Sequence, residues 1–273
     1  APFSFVEAYN YIQLSVGKLA YTVFGQGVEY LIAFHGFDQE GSVYQNWLNS
    51  FGKKYKIIAF DLPSHGQSDT FIDPLKMSDI VELLSTVKEV FEIDKMDLLG
   101  FSMGARFVLS LVKSNPNSFN KVYLFAPDGF KSSTVYRLAT RTLIGKAIFR
   151  KVTDSSSLFL GFLFIARQLG LYSPKFLDYL KQRWLDIVFR HRVYSTWNAV
   201  VNLPSRNPFD LSFVEGLQLQ IVLSIAKNDP LIPEPVLRKI ANNKNIRILD
   251  MEVGHNLVRQ SVNEWINRNI LMD

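Results

Sequence analysis

Cysteine is absent from the 273 residues. Its absence excludes disulfides, zinc ribbons, iron–sulfur clusters and a cysteine nucleophile, and gives no reason to expect an oxidising compartment. Long apolar runs are also missing. The longest, Leu158–Ala166, has about half of the ~20 residues that a membrane-spanning helix needs. Ala1–Phe5 lacks the basic stretch followed by an apolar run that marks a signal peptide. A cytoplasmic protein is therefore expected. Histidine is scarce, with four in the chain, and there is no H-E-x-x-H, no cluster of metal ligands and no dinucleotide-binding glycine fingerprint, so neither metal nor organic cofactor is expected. Internal repeats and low-complexity tracts are absent too.

What remains is the balance of a globular chain with a large core: 48% hydrophobic, 14% aromatic and 20% charged. The length suits one large domain, or one domain carrying an insertion. The net charge of +5 is uneven. Thirteen Lys/Arg face four Asp/Glu between Phe130 and Asp210, whereas the rest of the chain is mildly acidic. This asymmetry divides the chain into two parts. No nucleic-acid-binding motif accompanies the basic segment, so a nucleic-acid partner is not expected.

Six short, nearly continuous apolar runs are bounded by turn residues: Tyr30–Phe34, Lys56–Phe60, Met96–Gly100, Lys121–Ala126, Leu219–Ile225 and Ile246–Asp250. Strands buried on both faces of a parallel sheet have this pattern. Tyr21–Phe24, ahead of Gly25-Gln-Gly27, reads as an earlier strand. Helical spacing lies between the runs: Ile80, Leu84, Val87 and Phe91 behind Ser78 as N-cap, then Met103–Lys113, then a last helix from about Asn256. Alternating strand and helix predicts an α/β fold with a mostly parallel central sheet flanked by helices. Between Phe130 and Asp210 the alternation stops. That segment, with Phe176–Phe189 as one helical stretch, reads as a helical insertion covering one edge of the sheet. The expected division is a core of residues 1–129 and 211–273 with a helical unit at 130–210.

In an open parallel sheet functional groups gather beyond the carboxyl ends of the strands. The runs are followed in turn by His35-Gly-Phe-Asp38, by Asp61–Asp69, by Ser102 in Gly100-Phe-Ser-Met-Gly104, by Asp128, by Asp229 and by His255. A sharp strand-to-helix turn at Ser102 would crowd the residues two before and two after it, and both are glycine. Such a turn lifts the hydroxyl clear of the sheet. It also aims the Met103 N–H, at the positive end of a helix, toward a substrate carbonyl oxygen. A second N–H, from Phe37, would complete an oxyanion hole.

These motifs resemble the α/β-hydrolase superfamily across essentially the whole chain: the elbow Gly100–Gly104, the oxyanion loop His35-Gly-Phe37, the loop Asp61-Leu-Pro-Ser-His-Gly-Gln-Ser68, the acid in Asn228-Asp-Pro230 and the base in Gly254-His-Asn256. The resemblance is to its lid-bearing esterase, lipase and peroxidase-like branch. The branches with an aspartate nucleophile are a poorer match, because Ser102 stands at that position. It implies a catalytic triad of Ser102 as nucleophile, His255 as general base and Asp229 as the acid that orients the base, with Asp128 as the alternative acid, and a lid at 130–210. His35 and His65 read as architectural, His191 as a surface or packing residue of the lid, and Asp61 and Asp69 as turn caps. Phe159, Phe162, Phe164, Trp184 and Phe189 are expected to pack the lid onto the sheet domain, or in part to line an apolar acyl pocket over Ser102. Arg141, Lys146, Arg150 and Lys151, near Leu158–Ala166, are expected to touch an anionic membrane surface or an anionic substrate.

The reaction implied is hydrolysis of a small-molecule carboxylic ester with an apolar acyl chain through an acyl-enzyme. The same triad acting on thioester, amide or carbon–carbon bonds or in perhydrolysis, and a ligand-binding receptor with little turnover, remain open alternatives.

Overall fold

The structure, a computed structural model, describes residues 9–71, 73–130, 134–168, 170, 174–204, 211, 214–215, 217–229, 231–232, 234–240 and 244–271. The expected boundaries at 130/131 and 210/211 adjoin residues 131–133 and 205–210, which lie outside the described residues, as do Ala1–Phe5 and Pro230.

Eight strands form one sheet: β1 (Asn10–Leu14), β2 (Gly17–Phe24), β3 (Glu29–Phe34), β4 (Tyr55–Phe60), β5 (Met96–Phe101), β6 (Phe119–Phe125), β7 (Gln220–Ala226) and β8 (Ile246–Met251). Their order is β1-β2-β4-β3-β5-β6-β7-β8. The β1/β2 and β2/β4 pairings are antiparallel and the other five are parallel.

The apolar runs are continuous because alternate residues enter different cores. Ile32, Phe34, Ile58, Phe60, Leu98 and Val122 face one cluster. It also holds Leu83 of α1 (Met77–Phe91) and Phe107 and Leu111 of α2 (Gly104–Ser114). Leu31, Ala33, Ile57, Ala59, Leu99 and Tyr123 face a second cluster with Trp47, Phe51 and Ile266. The strand ends are level: Phe34 pairs with Gly100, Gly100 with Leu124, Leu124 with Leu223 and Leu223 with Ile248. The loops carrying His35–Asp38, Ser102, Asp128, Asp229 and His255 therefore leave the sheet along one edge.

Between β6 and β7 the described residues form five helices: α3 (Thr134–Arg141), α4 (Leu143–Asp154), α5 (Ser156–Gln168), α6 (Pro174–Trp184) and α7 (Ile187–Ala199). Helices α8 (Glu234–Ile240) and α9 (Asn263–Asn269) complete the chain. The central five share an apolar cluster that includes Phe149, Phe159, Leu163, Trp184 and Phe189, with the rings of Phe159 and Trp184 stacked at 3.7 Å. Phe162 and Phe164, expected to pack inward, are exposed, because α5 spends its buried side on Phe159, Leu163 and Ala166.

Three helix boundaries differ from expectation. Ser78 is not the cap of α1. The Asp79 carboxylate accepts the Lys76 N–H at 2.7 Å, so Lys76 is the cap and the helix begins two residues earlier. Phe176–Phe189 is two helices, because Asp186 accepts the Val188 N–H at 2.8 Å and caps a new start. The last helix begins at Asn263, not near Asn256; a separate 3-10 turn, Gln260–Val262, precedes it.

Two buried histidines tie the loops beyond β3 and β4 together. His35 Nε2 accepts the Leu62 N–H at 2.9 Å, and its Nδ1–H donates to Gly36 O at 2.7 Å. His65 Nε2 accepts the Asp38 N–H at 3.1 Å, and its Nδ1–H donates to Pro63 O at 3.0 Å. Asp61 accepts N–H groups from Gly41 and Gln67, and Asp69 accepts that of Lys18. Both rings must be neutral to accept at Nε2. Burial favours that state, lowering His35 well below the ordinary histidine value and His65 to about 4. In the unfolded chain His65 would take up a proton near pH 6.5, so its contribution to stability is present above pH 6.5 and is lost as pH falls toward 4. That loss amounts to about 3 kcal/mol. Urea unfolding at pH 7 and pH 4.5 should show a smaller acid-induced loss in His65→Gln than in the unmodified protein. An unchanged loss would remove His65 as the cause.

Candidate functional site

The geometry around Ser102 begins with close backbone approach. Ser102 has φ of +49°, a left-handed conformation uncommon for a non-glycine residue. A Cβ on Gly104 would lie 2.0 Å from Phe34 O, and one on Gly100 would lie 2.8 Å from the Ala105 Cα. Glycine at both positions lets α2 start immediately above β5 and against β3. The turn is held on every side: the Ser102 N–H donates to Phe125 O, and Ser102 O accepts from the N–H groups of Ala105 and Asp128, each at 3.0 Å. The end of β6, the loop after it and the first turn of α2 thus fix the backbone from which the hydroxyl projects.

The structure brings Ser102, His255 and Asp229 into one hydrogen-bonded chain. Ser102 Oγ lies 2.9 Å from His255 Nε2, and His255 Nδ1 lies 2.6 Å from Asp229 Oδ2. The other carboxylate oxygen of Asp229 accepts the N–H groups of Leu231 (2.8 Å) and Ile232 (3.1 Å). The Asp229 side chain is 2% exposed, so the carboxylate is buried with three donors and little water around it. A buried acceptor at Nδ1 makes that nitrogen the donor, which leaves the Nε2 lone pair facing the serine hydroxyl.

Asp128 is engaged elsewhere. Its carboxylate meets Arg106 Nε at 2.6 Å and Nη2 at 3.2 Å, and accepts the Gly129 N–H at 2.6 Å. Arg106 also donates to Leu203 O at 2.8 Å. This buried guanidinium takes both oxygens of Asp128 and commits them to an ion pair. His191 is exposed on α7.

Met103 caps the start of α2, and among the described residues neither its N–H nor that of Phe37 has an acceptor. The Phe37 ring sits between His65 (5.4 Å) and Phe189 (5.6 Å), in edge contacts with both. The next residue, Asp38, has φ of +62°. Its carboxylate pairs with Arg183 of α6 and, at 2.7 Å, with Arg192 of α7. The helices between β6 and β7 therefore grip the loop after β3 through Phe189 and through two arginines. Sequence reasoning missed this contact. Arg183 and Arg192 stand among eleven other basic residues of the segment, and nothing local links them to a residue some 150 positions away. A cavity of about 320 Å³ lies between Asp38, Glu40, Gly66 and Arg192, and Ser102 is not part of its lining. Among the described residues no group of three His, Asp or Glu side chains is placed to hold a metal ion.

Comparison with known proteins agrees with this architecture. A model of the alpha/beta hydrolase fold matches residues 30–258. An uncharacterized hydrolase of Bacillus subtilis, YugF, is 32% identical over 107 residues, covering 38% of this chain and 38% of that protein. The chain spans less than half the length of the curated relatives it matches. Among solved structures, a thermophilic esterase from Thermogutta terrifontis superposes with a TM-score of 0.67 at 15% identity, covering 96% of this chain and 98% of that one. Carboxylesterase CesB of Bacillus subtilis superposes with a TM-score of 0.62 at 14% identity, covering 98% and 92%. Likenesses at such identities concern the fold. The family match, in contrast, runs from β3 to beyond His255 and so takes in six of the eight strands together with Ser102, Asp229 and His255, and the chain belongs to the alpha/beta hydrolase fold family.

Proposed function

We propose that this hydrolase cleaves carboxylic esters through an acyl-enzyme formed on Ser102. The observation that carries the reading is the continuous chain from Ser102 Oγ through His255 to the buried Asp229. His255 Nε2 takes the hydroxyl proton as Oγ attacks the ester carbonyl, then returns it to the departing alkoxide. Water, activated by the same nitrogen, hydrolyses the acyl-enzyme in the second half-reaction. Asp229 fixes the tautomer of His255 and stabilises the imidazolium without taking the proton. The free N–H groups of Phe37 and Met103 hold the oxyanion, each worth roughly 10²–10³ in turnover.

Helices α3–α7 act as the lid in this reading, and the Phe37–Phe189 contact ties that lid to the oxyanion loop. The Phe101 ring, 5.4 Å from His255, supports an apolar acyl group. Medium-chain esters are accordingly the first substrates to test. A panel of p-nitrophenyl esters of rising chain length, with a thioester, an amide and a vinylogous carbon–carbon substrate beside them, distinguishes esterase activity from other uses of the triad.

Two outcomes are expected. Ser102→Ala should lose esterase activity by roughly 10⁴-fold or more and should lose labelling by a fluorophosphonate probe. Full activity in this variant would overturn the mechanism, and folded unmodified protein that takes no label would favour a binding role over catalysis. The two aspartates should separate by different measurements. Asp229→Asn should lower kcat by about 10⁴-fold with little change in stability. Asp128→Asn should keep kcat within a small factor but lose about 3 kcal/mol of stability, because it strips the nearly buried Arg106 of its counter-charge. Steady-state kinetics and urea unfolding of both variants check the pair, and the reverse pattern would make Asp128 the acid.

A further inference from the structure

Exposed large apolar side chains gather in one part of the molecule. Of the eighteen among the described residues, thirteen lie between Val135 and Val188. On α5 they form a stripe, with Leu158, Phe162 and Ile165 one and two turns apart and lying next to the buried stripe of Phe159, Leu163 and Ala166 around the helix. Gly161 lies within the stripe, and a Cβ there would meet nothing within 4 Å. On the neighbouring α4, Leu143 and Ile144 are 89% and 76% exposed, with Ile148 one turn further on. These side chains point away from the cluster that Phe149, Phe159 and Leu163 share, so both helices turn an apolar side outward.

The same helices carry mainly positive charge: from Leu143 to Gln168 there are four Lys/Arg and one acidic residue, Asp154. Among the described residues Arg137, Lys146, Arg150 and Lys151 form no ion pair. Exposed apolar side chains interleaved with unpaired cations limit what can cover the surface. A second copy of the chain would bring Lys146, Arg150 and Lys151 against their own counterparts. An anionic bilayer surface meets both needs, since apolar side chains enter the boundary between headgroups and acyl chains while cations meet lipid phosphates. No described helix is long and apolar enough to cross a membrane, so the contact is one of lying on the surface.

We propose that the outward face of α4 and α5 docks on an anionic lipid bilayer, with Leu143, Ile144, Leu158, Phe162 and Ile165 entering the interface and Lys146, Arg150 and Lys151 pairing with lipid phosphates. This rests on the surface alone and is independent of the reaction at Ser102.

Sedimentation of the full chain with vesicles tests it, using phosphatidylcholine alone and phosphatidylcholine with about one third phosphatidylglycerol. The protein should pellet with the acidic vesicles, remain in solution with the neutral ones, and be released by raised salt. Replacing Lys146, Arg150 and Lys151 together by Gln should weaken binding by about 100-fold. Leu158→Ser with Phe162→Ser should weaken it by at least about 10-fold. Circular dichroism verifies the fold of each variant, and the salt dependence of the unmodified protein carries the test if a variant fails to fold. Equal binding to both vesicle types, binding to neither, or variants that bind as the unmodified protein does would overturn the proposal. So would a dimer in solution that Leu158→Ser with Phe162→Ser disperses, because that would make a second copy the occupant.

Discussion

The approach of Gly104 to the carbonyl of Phe34 constrains everything around it. No side chain fits there, so α2 can begin at the very edge of the sheet, against β3 and directly above β5. That start puts Ser102 into a left-handed conformation, which is costly for a non-glycine residue unless the surroundings impose it. They do: the backbone N–H and C=O of Ser102 are both committed to neighbours, one at the end of β6 and one in the loop that follows. The turn is thus a product of the parallel register, in which Phe34, Gly100 and Leu124 lie level. A slip of one residue in any of these pairings would turn each strand over and take Ser102 from the edge where Asp229 and His255 arrive.

Two aspartates near the site carry arginine partners, and the two arrangements differ in kind. Arg106 is nearly buried and is shared between Asp128 and the carbonyl of Leu203, so it joins α2 to the chain that leaves α7. Removing its carboxylate leaves a cation with nowhere to go. Asp38 instead lies at the margin, between two arginines that are both partly solvated. Pairs of that sort are worth less in energy, and their effect is on position. They hold the loop that presents the Phe37 N–H to helices far away in sequence. Among the described residues Asp229 has no arginine partner. Its charge rests there on His255 and two backbone N–H groups, with the imidazole as its side-chain partner.

Helix α5 is apolar on nearly all sides, a composition that ordinarily indicates a helix buried all round. Here one side packs on α6 and the cluster around Trp184, and the other has no protein against it among the described residues. Packing within the segment cannot be the reason for that second side. If α5 were needed only to complete the cluster, Phe159, Leu163 and Ala166 would suffice, and polar residues at Leu158, Phe162 and Ile165 would cost nothing in the core.

Much of the site was legible because its signals are local and steric. Glycines two residues to either side of Ser102 demand a tight turn, and an acid and a base each just beyond a strand place themselves once the strands are recognised. Five of the six apolar runs could be read as strands because burial on both faces leaves little polar alternation to confuse them, whereas Ile246–Asp250, at the sheet edge, is only partly buried. The antiparallel edge was only half visible. Gly17–Phe24 reads as a strand from Tyr21 onward, but Asn10–Leu14, at the sheet margin, has alternating exposure and too few apolar residues to stand out. Helix boundaries failed where one side chain decided them, as at Asp79 and Asp186, because a capping aspartate looks like any other charged residue until the backbone N–H it satisfies is known. The grip of Arg183 and Arg192 on Asp38 was illegible for a deeper reason. Periodicity reports which side of a helix is apolar, and it says nothing of which distant loop a charge on the other side will meet. The choice between Asp128 and Asp229 was of the same type. Both follow strands, and only the position of Arg106, fixed by the packing of α2, assigns the first to an ion pair and leaves the second to the imidazole.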